Sequence, residues 1–187
     1  MEIEVRYYYN ICEEENLLVK LSSFKELEYL GKFYEKTIQY NHPMKELDFY
    51  SKEIDGRFRV RVTRNEQTEK CMITWKRRLK KIEQEEMNKE EEIEVRINYD
   101  DYNNLIQLLT NVLKLERVES YERYRHVFKN NEVEIVVDKF PFGIALEIES
   151  KTDENNSEAV ILKWLDNLGL ELKDSYKLSW DDKYSEL

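Results

Sequence analysis

Carboxylates and guanidinium groups recur along this chain in short alternating rows. Glu2, Glu4 and Arg6 are separated by Ile3 and Val5. Arg57, Arg59 and Arg61 alternate with Phe58, Val60 and Val62, and Lys76 and Arg78 follow Thr74 at the same two-residue step. Glu92, Glu94 and Arg96 alternate with Ile93, Val95 and Ile97; Arg123 and Arg125, then Glu147 and Glu149, repeat the pattern. On a strand, successive side chains point to opposite faces, so each row sets charge on one side and apolar groups on the other. Carboxylate rows suit hard divalent cations such as Mg²⁺ or Mn²⁺. Arginine and lysine rows suit a polyphosphate, whose several charges need several partners. A metal beside a basic clamp is the chemistry of phosphoryl transfer. One such row is an ordinary solvated face; six of them, each in phase with an apolar row, describe a lining.

The elements that must carry these rows can be read from turn signals and periodicity. The first strand runs from Met1 to Tyr9. Ser22-Ser23 offers a helix cap, and Phe24, Leu27, Leu30 and Tyr34 recur at helical spacing, which predicts a helix to about Lys36. Leu47 to Tyr50 reads as a short strand, and Asp55-Gly56 as a hairpin turn into Arg57–Val62. Strands follow over Cys71–Arg78 and Glu91–Ile97, with residues 80–90 as a charged excursion between them. Asp100-Asp101 opens a helix carrying Leu105, Leu108, Leu109, Val112 and Leu113 on its apolar face. Glu119–Phe128, Val133–Asp138 and Ile144–Glu149 are three more strands, and a helix with Ala159, Leu162, Leu165 and Leu168 ends at Gly169. Residues 176–180 add a final short strand or coil.

The expected architecture is therefore α+β: a closed antiparallel β-barrel of about eight strands with helices packed outside. If the apolar faces dock the helices, the charged faces must turn inward and line a wet tunnel. A lining of like charges is costly unless it binds something.

The 187 residues suggest one domain spanning 1–187. Acidic residues outnumber basic ones, 40 to 30, giving a net charge of −10. That disfavours a membrane surface or extensive nucleic-acid contact. Cys12 and Cys71 have no metal-ligand spacing, and His42 and His126 are too few and too far apart for a histidine metal site or triad. With no signal-peptide pattern and no long apolar run, a cytoplasmic monomer or homodimer is expected.

The ordered motifs resemble the CYTH superfamily, or triphosphate tunnel metalloenzymes, which includes class IV adenylyl cyclases and thiamine triphosphatases. Glu2-Ile3-Glu4-Val5-Arg6 is similar to the family's opening E-x-E-x-K, with arginine in place of lysine. Asp48-Phe49-Tyr50 resembles its D-x-Y element, Phe58-Arg59-Val60-Arg61 its L-R-x-R strand, Thr74-Trp75-Lys76 its T-x-K strand and Glu92-Ile93-Glu94 its central E-x-E. Arg123-Tyr124-Arg125 resembles its K-x-R, again with an arginine for a lysine. Asp138, Pro141, Gly143 and Glu147-Ile148-Glu149 resemble its D-x-x-P-x-G…E-I-E segment, and Ser175-Tyr176 its C-terminal S-Y.

The resemblance implies Mg²⁺ or Mn²⁺ on Glu2, Glu4, Glu147 and Glu149, with Glu92 and Glu94 next and Asp138 as a ligand or an orienting group. It implies a triphosphate gripped by Arg6, Arg59, Arg61, Lys76, Arg123 and Arg125; Arg57 shares the face of Arg59 and Arg61. Glu4, Glu147, Arg59 and Lys76 are the expected catalytic groups. The expected activity is metal-dependent triphosphate hydrolysis. Cyclisation of ATP and non-catalytic binding of a polyphosphate or triphosphorylated RNA end are the alternatives.

Overall fold

The computed structural model describes residues 2–79, 87–177 and 180. Eight strands close into one antiparallel barrel: β1 (Glu2–Tyr9), β2 (Glu28–Asn41), β3 (Gly56–Arg64), β4 (Glu69–Arg78), β5 (Asn88–Ile97), β6 (Glu116–Lys129), β7 (Val133–Phe140) and β8 (Gly143–Ser150). Their order around the barrel is β1-β5-β4-β3-β2-β6-β7-β8. Helices α1 (Glu14–Ser22), α2 (Tyr102–Gln107) and α3 (Glu154–Leu168) follow β1, β5 and β8. This is the expected α+β barrel with helices outside. Among the described residues, no helix is long and apolar enough to cross a membrane.

The chain forms two compact units by internal contacts: residues 1–32, 80–89 and 123–187, and residues 33–79 and 90–122. In the first, β1, β7 and β8 lie side by side, with Glu4 opposite Glu149 and Glu149 opposite Glu134. Ile3, Val5, Ile135, Val137, Leu146 and Ile148 form their apolar face. It packs against α3, whose Val160, Ile161, Trp164, Leu165 and Leu168 are buried. Each fully buried side chain of this size contributes about 1.5–3 kcal/mol. Asp153 caps α3 by accepting from the Asn156 amide at 3.2 Å, and Gly169 ends the helix at φ 62°.

In the second unit β3 pairs with β2 and with β4, and β4 with β5. Ile38, Tyr40, Val60, Val62, Cys71, Leu109 and Leu115 form its core. In each unit a helix packs on part of the apolar face, with the charged rows on the alternate side of the strands; Ile93 and Val95 of β5 stay exposed.

Two expected elements are overturned, and two expected apolar helix faces are so in part, since Leu108, Val112 and Leu113, and Ala159 and Leu162, are exposed. The helix anticipated over residues 24–36 is absent: α1 lies earlier, and Glu28–Asn41 is a 14-residue strand. Leu17, Leu18 and Leu21 supply the apolar stripe of α1, and Phe24 and Leu27 pack on the same core from the turn beyond it. In β2 the period is two: Glu35, Thr37 and Gln39 share one face, Ile38 and Tyr40 the other, and the strand is fixed by its pairing with β3. Conversely, 47–50 is not a strand. Lys45–Leu47 is a single 3-10 turn. Asp48 accepts from Asn41 Nδ2 at 2.8 Å and from the Tyr50 amide at 2.9 Å, which folds the segment into a loop. The excursion over 80–90 lies outside the described residues up to position 86; Asn88–Glu90 already belong to β5. Residues 178 and 179 of the expected final segment also lie outside them.

Candidate functional site

In the first unit the charged face of β1, β6, β7 and β8 is an ion network. Arg6 bonds Glu4 on its own strand, and its Nε lies 3.4 Å from Glu147 Oε1. Arg125 also reaches Glu147, at 2.9 Å. Asp138 is 0 % exposed and accepts from three guanidinium nitrogens: Arg123 Nη1 at 2.7 Å, Arg125 Nε at 2.7 Å and Arg125 Nη2 at 2.6 Å. The cause is register: Arg125 sits opposite Asp138, and Arg6 opposite Glu147. Charge-assisted, forked bonds of this kind are the strong ones. Trp180 closes the group by donating its indole N–H to Glu147 Oε1 at 2.5 Å, while stacking on Tyr176 with ring centroids 4.9 Å apart.

At the end of β8, Glu149 is less well compensated. Its carboxyl is pushed up from 4.5 to about 7 by burial first, then by the Glu2 charge, with Glu134 adding to it and Lys151 opposing. Lys151 Nζ lies 2.6 Å from Glu149 and 4.0 Å from Glu134. Burial acts to lower the Lys151 ammonium's pKa, but Glu149, Glu134 and Glu2 outweigh it and the net shift is upward.

In the second unit β3 and β4 present Arg57, Arg59 and Lys76, all buried. Arg59 donates to Glu92 at 3.3 Å, Thr74 to Glu94 at 3.3 Å, and Lys76 pairs with Glu90 at 2.7 Å. Arg61 lies 3.3 Å from Thr37 Oγ1 and 3.8 Å from Glu35. Gln39, fully buried, accepts from the Tyr50 hydroxyl at 2.5 Å and donates to Glu119 at 3.4 Å.

Glu4, Arg6, Arg123, Arg125, Asp138 and Glu147 are thus brought into one network, with Glu2 and Glu149 at its edge. Arg59 and Glu92 meet in the other unit, and Glu94 is exposed there. Participants that were not anticipated include Glu35, Gln39, Glu90, Glu134, Lys151 and Trp180. The alternation Glu35-x-Thr37-x-Gln39 carried a signal for the first two; nothing in the run of glutamates around Glu90 singles it out. His126 faces away from this network. Its Nδ1 meets the Tyr29 hydroxyl at 2.8 Å, and burial, then Lys32, lowers its pKa.

Among the described residues, no three His, Cys, Asp or Glu side chains converge as a ready-made metal cage. The donor chemistry nevertheless fits a hard divalent cation. Every donor is a carboxylate oxygen, and Glu134 and Glu149 share the Lys151 ammonium, at 4.0 Å and 2.6 Å.

No protein-family model matches the sequence, and no curated protein matches it in a sequence comparison. Solved structures do match in shape. The PH1819 protein of Pyrococcus horikoshii superposes with a TM-score of 0.73 at 24 % identity, over 100 % of this chain and 99 % of that one. A Vibrio parahaemolyticus protein provisionally assigned as an adenylate cyclase gives 0.73 at 17 % identity, over 98 % and 97 %. The Hippeastrum protein HpAC1, provisionally an adenylyl cyclase and described as having a dominant triphosphatase activity, gives 0.62 at 18 % identity, over 91 % and 89 %. The chain has the triphosphate-tunnel, or CYTH, fold. At these identities the likeness concerns the fold.

Proposed function

We propose that this CYTH-fold protein hydrolyses a triphosphate in a divalent-metal-dependent reaction, the substrate being a nucleoside triphosphate, thiamine triphosphate or inorganic tripolyphosphate. The observation that carries this reading is the burial of guanidinium groups: Arg6, Arg57, Arg59 and Arg123 are all buried. Buried cations are costly unless anions meet them. Carboxylates meet several of them here, and phosphoryl oxygens make the same forked bonds. The triphosphatase activity described for HpAC1 supports the same reading.

In the proposed reaction water attacks the terminal phosphorus and the bridging P–O bond to the next phosphate breaks. Orthophosphate and a product shorter by one phosphate leave. Arg6, Arg123 and Arg125, with Arg57, Arg59, Arg61 and Lys76, stabilise charge growing on the phosphoryl oxygens. Glu4 and Glu147 orient the attacking water and accept its proton. Mg²⁺ or Mn²⁺, held by Glu2, Glu4, Glu147 and Glu149, with Glu92, Glu94 and Asp138 as further carboxylates, would supply charge neutralisation and a more acidic water.

Product analysis tests this. Purified protein is incubated with ATP, thiamine triphosphate or tripolyphosphate and Mg²⁺ or Mn²⁺, beside Glu147→Gln. Metal-dependent orthophosphate release that is lost in the variant is the expected result. The provisional assignment of the Vibrio neighbour favours a second reading, in which the ribose 3′-hydroxyl attacks the α-phosphorus and diphosphate leaves. Cyclic AMP and diphosphate as the products would select it. Tripolyphosphate-induced thermal stabilisation without turnover would make the protein a binding module.

A further inference from the structure

The carboxylates proposed to hold the metal are not equally available. Glu4, Glu147 and Asp138 are tied to arginines by short bonds in a buried network. Freeing any of them takes one anion from a buried or half-buried guanidinium. Glu149 differs. Its bonded partner is the Lys151 ammonium, 2.6 Å away, and the Lys151 side chain is 38 % exposed.

Lys151 follows the last residue of β8, and strand alternation puts it on the side of Glu149. Its backbone amide donates to the Glu132 carbonyl at 2.8 Å, which fixes where its long stem begins. The same ammonium lies 4.0 Å from Glu134, the residue directly opposite Glu149 on β7. Directly opposed like charges repel, so this pair of carboxylates needs a cation between them. Lysine provides one as a compact charge on a flexible stem, and water is within reach to receive it. Glu134 belongs to none of the carboxylate rows that pointed to a metal, yet the register sets it beside Glu149.

We infer that Glu134 joins Glu149 as a ligand of the divalent cation, and that Lys151 is the chain's own competitor for that position, swinging into solvent when the metal binds. This rests on the proposed metal dependence and deepens it. The metal enters where the resident cation is exposed and singly bonded, and the buried arginine pairs stay closed until the anionic substrate arrives.

The test is direct Mn²⁺ titration by calorimetry and electron paramagnetic resonance at pH 8, without triphosphate, on the full chain. Wild type is compared with Lys151→Met, Lys151→Gln, Glu134→Gln and Glu147→Gln, each checked for folding by circular dichroism. Both Lys151 variants should bind Mn²⁺ roughly three- to thirtyfold more tightly, the range that one neighbouring charge exerts at a half-exposed site. Glu134→Gln should bind it more weakly by a similar factor. Binding by wild type that weakens in Glu147→Gln but is unchanged in the Lys151 and Glu134 variants overturns this inference and leaves the metal reading standing. Weaker binding in the Lys151 variants also overturns it, because Lys151 would then be helping rather than competing. No Mn²⁺ binding by wild type or by any variant overturns both. Binding by the Lys151 variants alone supports the competition in its extreme form.

Discussion

Asp138→Asn removes one charge from the best-defined cluster in the molecule, and its cost can be worked from the geometry. Asp138 has no exposed surface, and its two oxygens accept three guanidinium bonds between 2.6 and 2.7 Å. The amide has nearly the same shape, so no cavity forms. What changes is that Arg123 and Arg125 lose a full negative charge while remaining buried or half-buried. Breaking a buried ion pair from one side typically costs about 3–5 kcal/mol. The retained amide oxygen still accepts one bond, and Arg125 keeps Glu147 at 2.9 Å, which places the expected loss near about 3 kcal/mol. For a chain of this length that is a fall in Tm of roughly 6–12 °C. The assay is a thermal melt in chelator, with and without tripolyphosphate. Because the deficit is one of negative charge beside two arginines, tripolyphosphate should recover at least half of the lost Tm and stabilise the variant more than wild type. A variant that melts within 2 °C of wild type would show that the Asp138 cluster is not an uncompensated-charge problem at all. A destabilised variant indifferent to tripolyphosphate would remove Arg123 and Arg125 from the anion site.

Three further outcomes are expected. Glu149 has a carboxyl raised from 4.5 to about 7, so its favourable contribution is complete below pH 4.5 and lost as pH rises through 7; in chelator the protein should lose about 2–3 kcal/mol between pH 5 and 8 on this account, and urea melts of Glu149→Gln showing the same pH dependence would refute it. Arg59→Ala should lower kcat by about ten- to a thousandfold with every accepted triphosphate, and unchanged turnover would remove Arg59 from the reaction. Gly143 sits at φ 149° with an added Cβ only 2.7 Å from the Tyr9 carbonyl oxygen, so Gly143→Ala should cost about 1–3 kcal/mol, seen as a lower urea midpoint; an unchanged midpoint would mean that β1 and β8 shift apart without penalty.

The barrel was legible because its charges alternate. Arg57 to Val62, Glu91 to Ile97 and Ile144 to Glu149 each set one chemistry against another at period two, and the structure keeps those faces. β2 was hidden by coincidence: Phe24, Leu27, Leu30 and Tyr34 imitate a helical stripe, although only Phe24 and Leu27 join the core beside α1. The count of eight strands survived because Glu28–Asn41 took the place of the strand expected at 47–50. The candidate site was legible to the extent that it consists of rows. Its pairings were not, since they depend on register: sequence spacing does not say that Arg125 faces Asp138 or that Glu149 faces Glu134. Trp180 was beyond reach for the same reason, because its hydrogen bond to Glu147 joins groups 33 residues apart.

The self-pairing of this network bears on how the proposed substrate and metal enter. In the first unit Arg6 and Arg125 share Glu147, and Arg6 also holds Glu4. A phosphate that takes the arginines strips these carboxylates of their cations, and a cation that takes the carboxylates strips the arginines of their anions. Either exchange alone takes an ion partner from buried charge, which is costly. Made together, the two exchanges keep every group paired: guanidinium to phosphoryl oxygen and carboxylate to metal. Lys151 relaxes this constraint at one edge, where its ammonium can leave for water without leaving a guanidinium behind. On the proposed reading, the lysine edge is therefore where a metal binds first, and the arginine centre is where metal and triphosphate bind together.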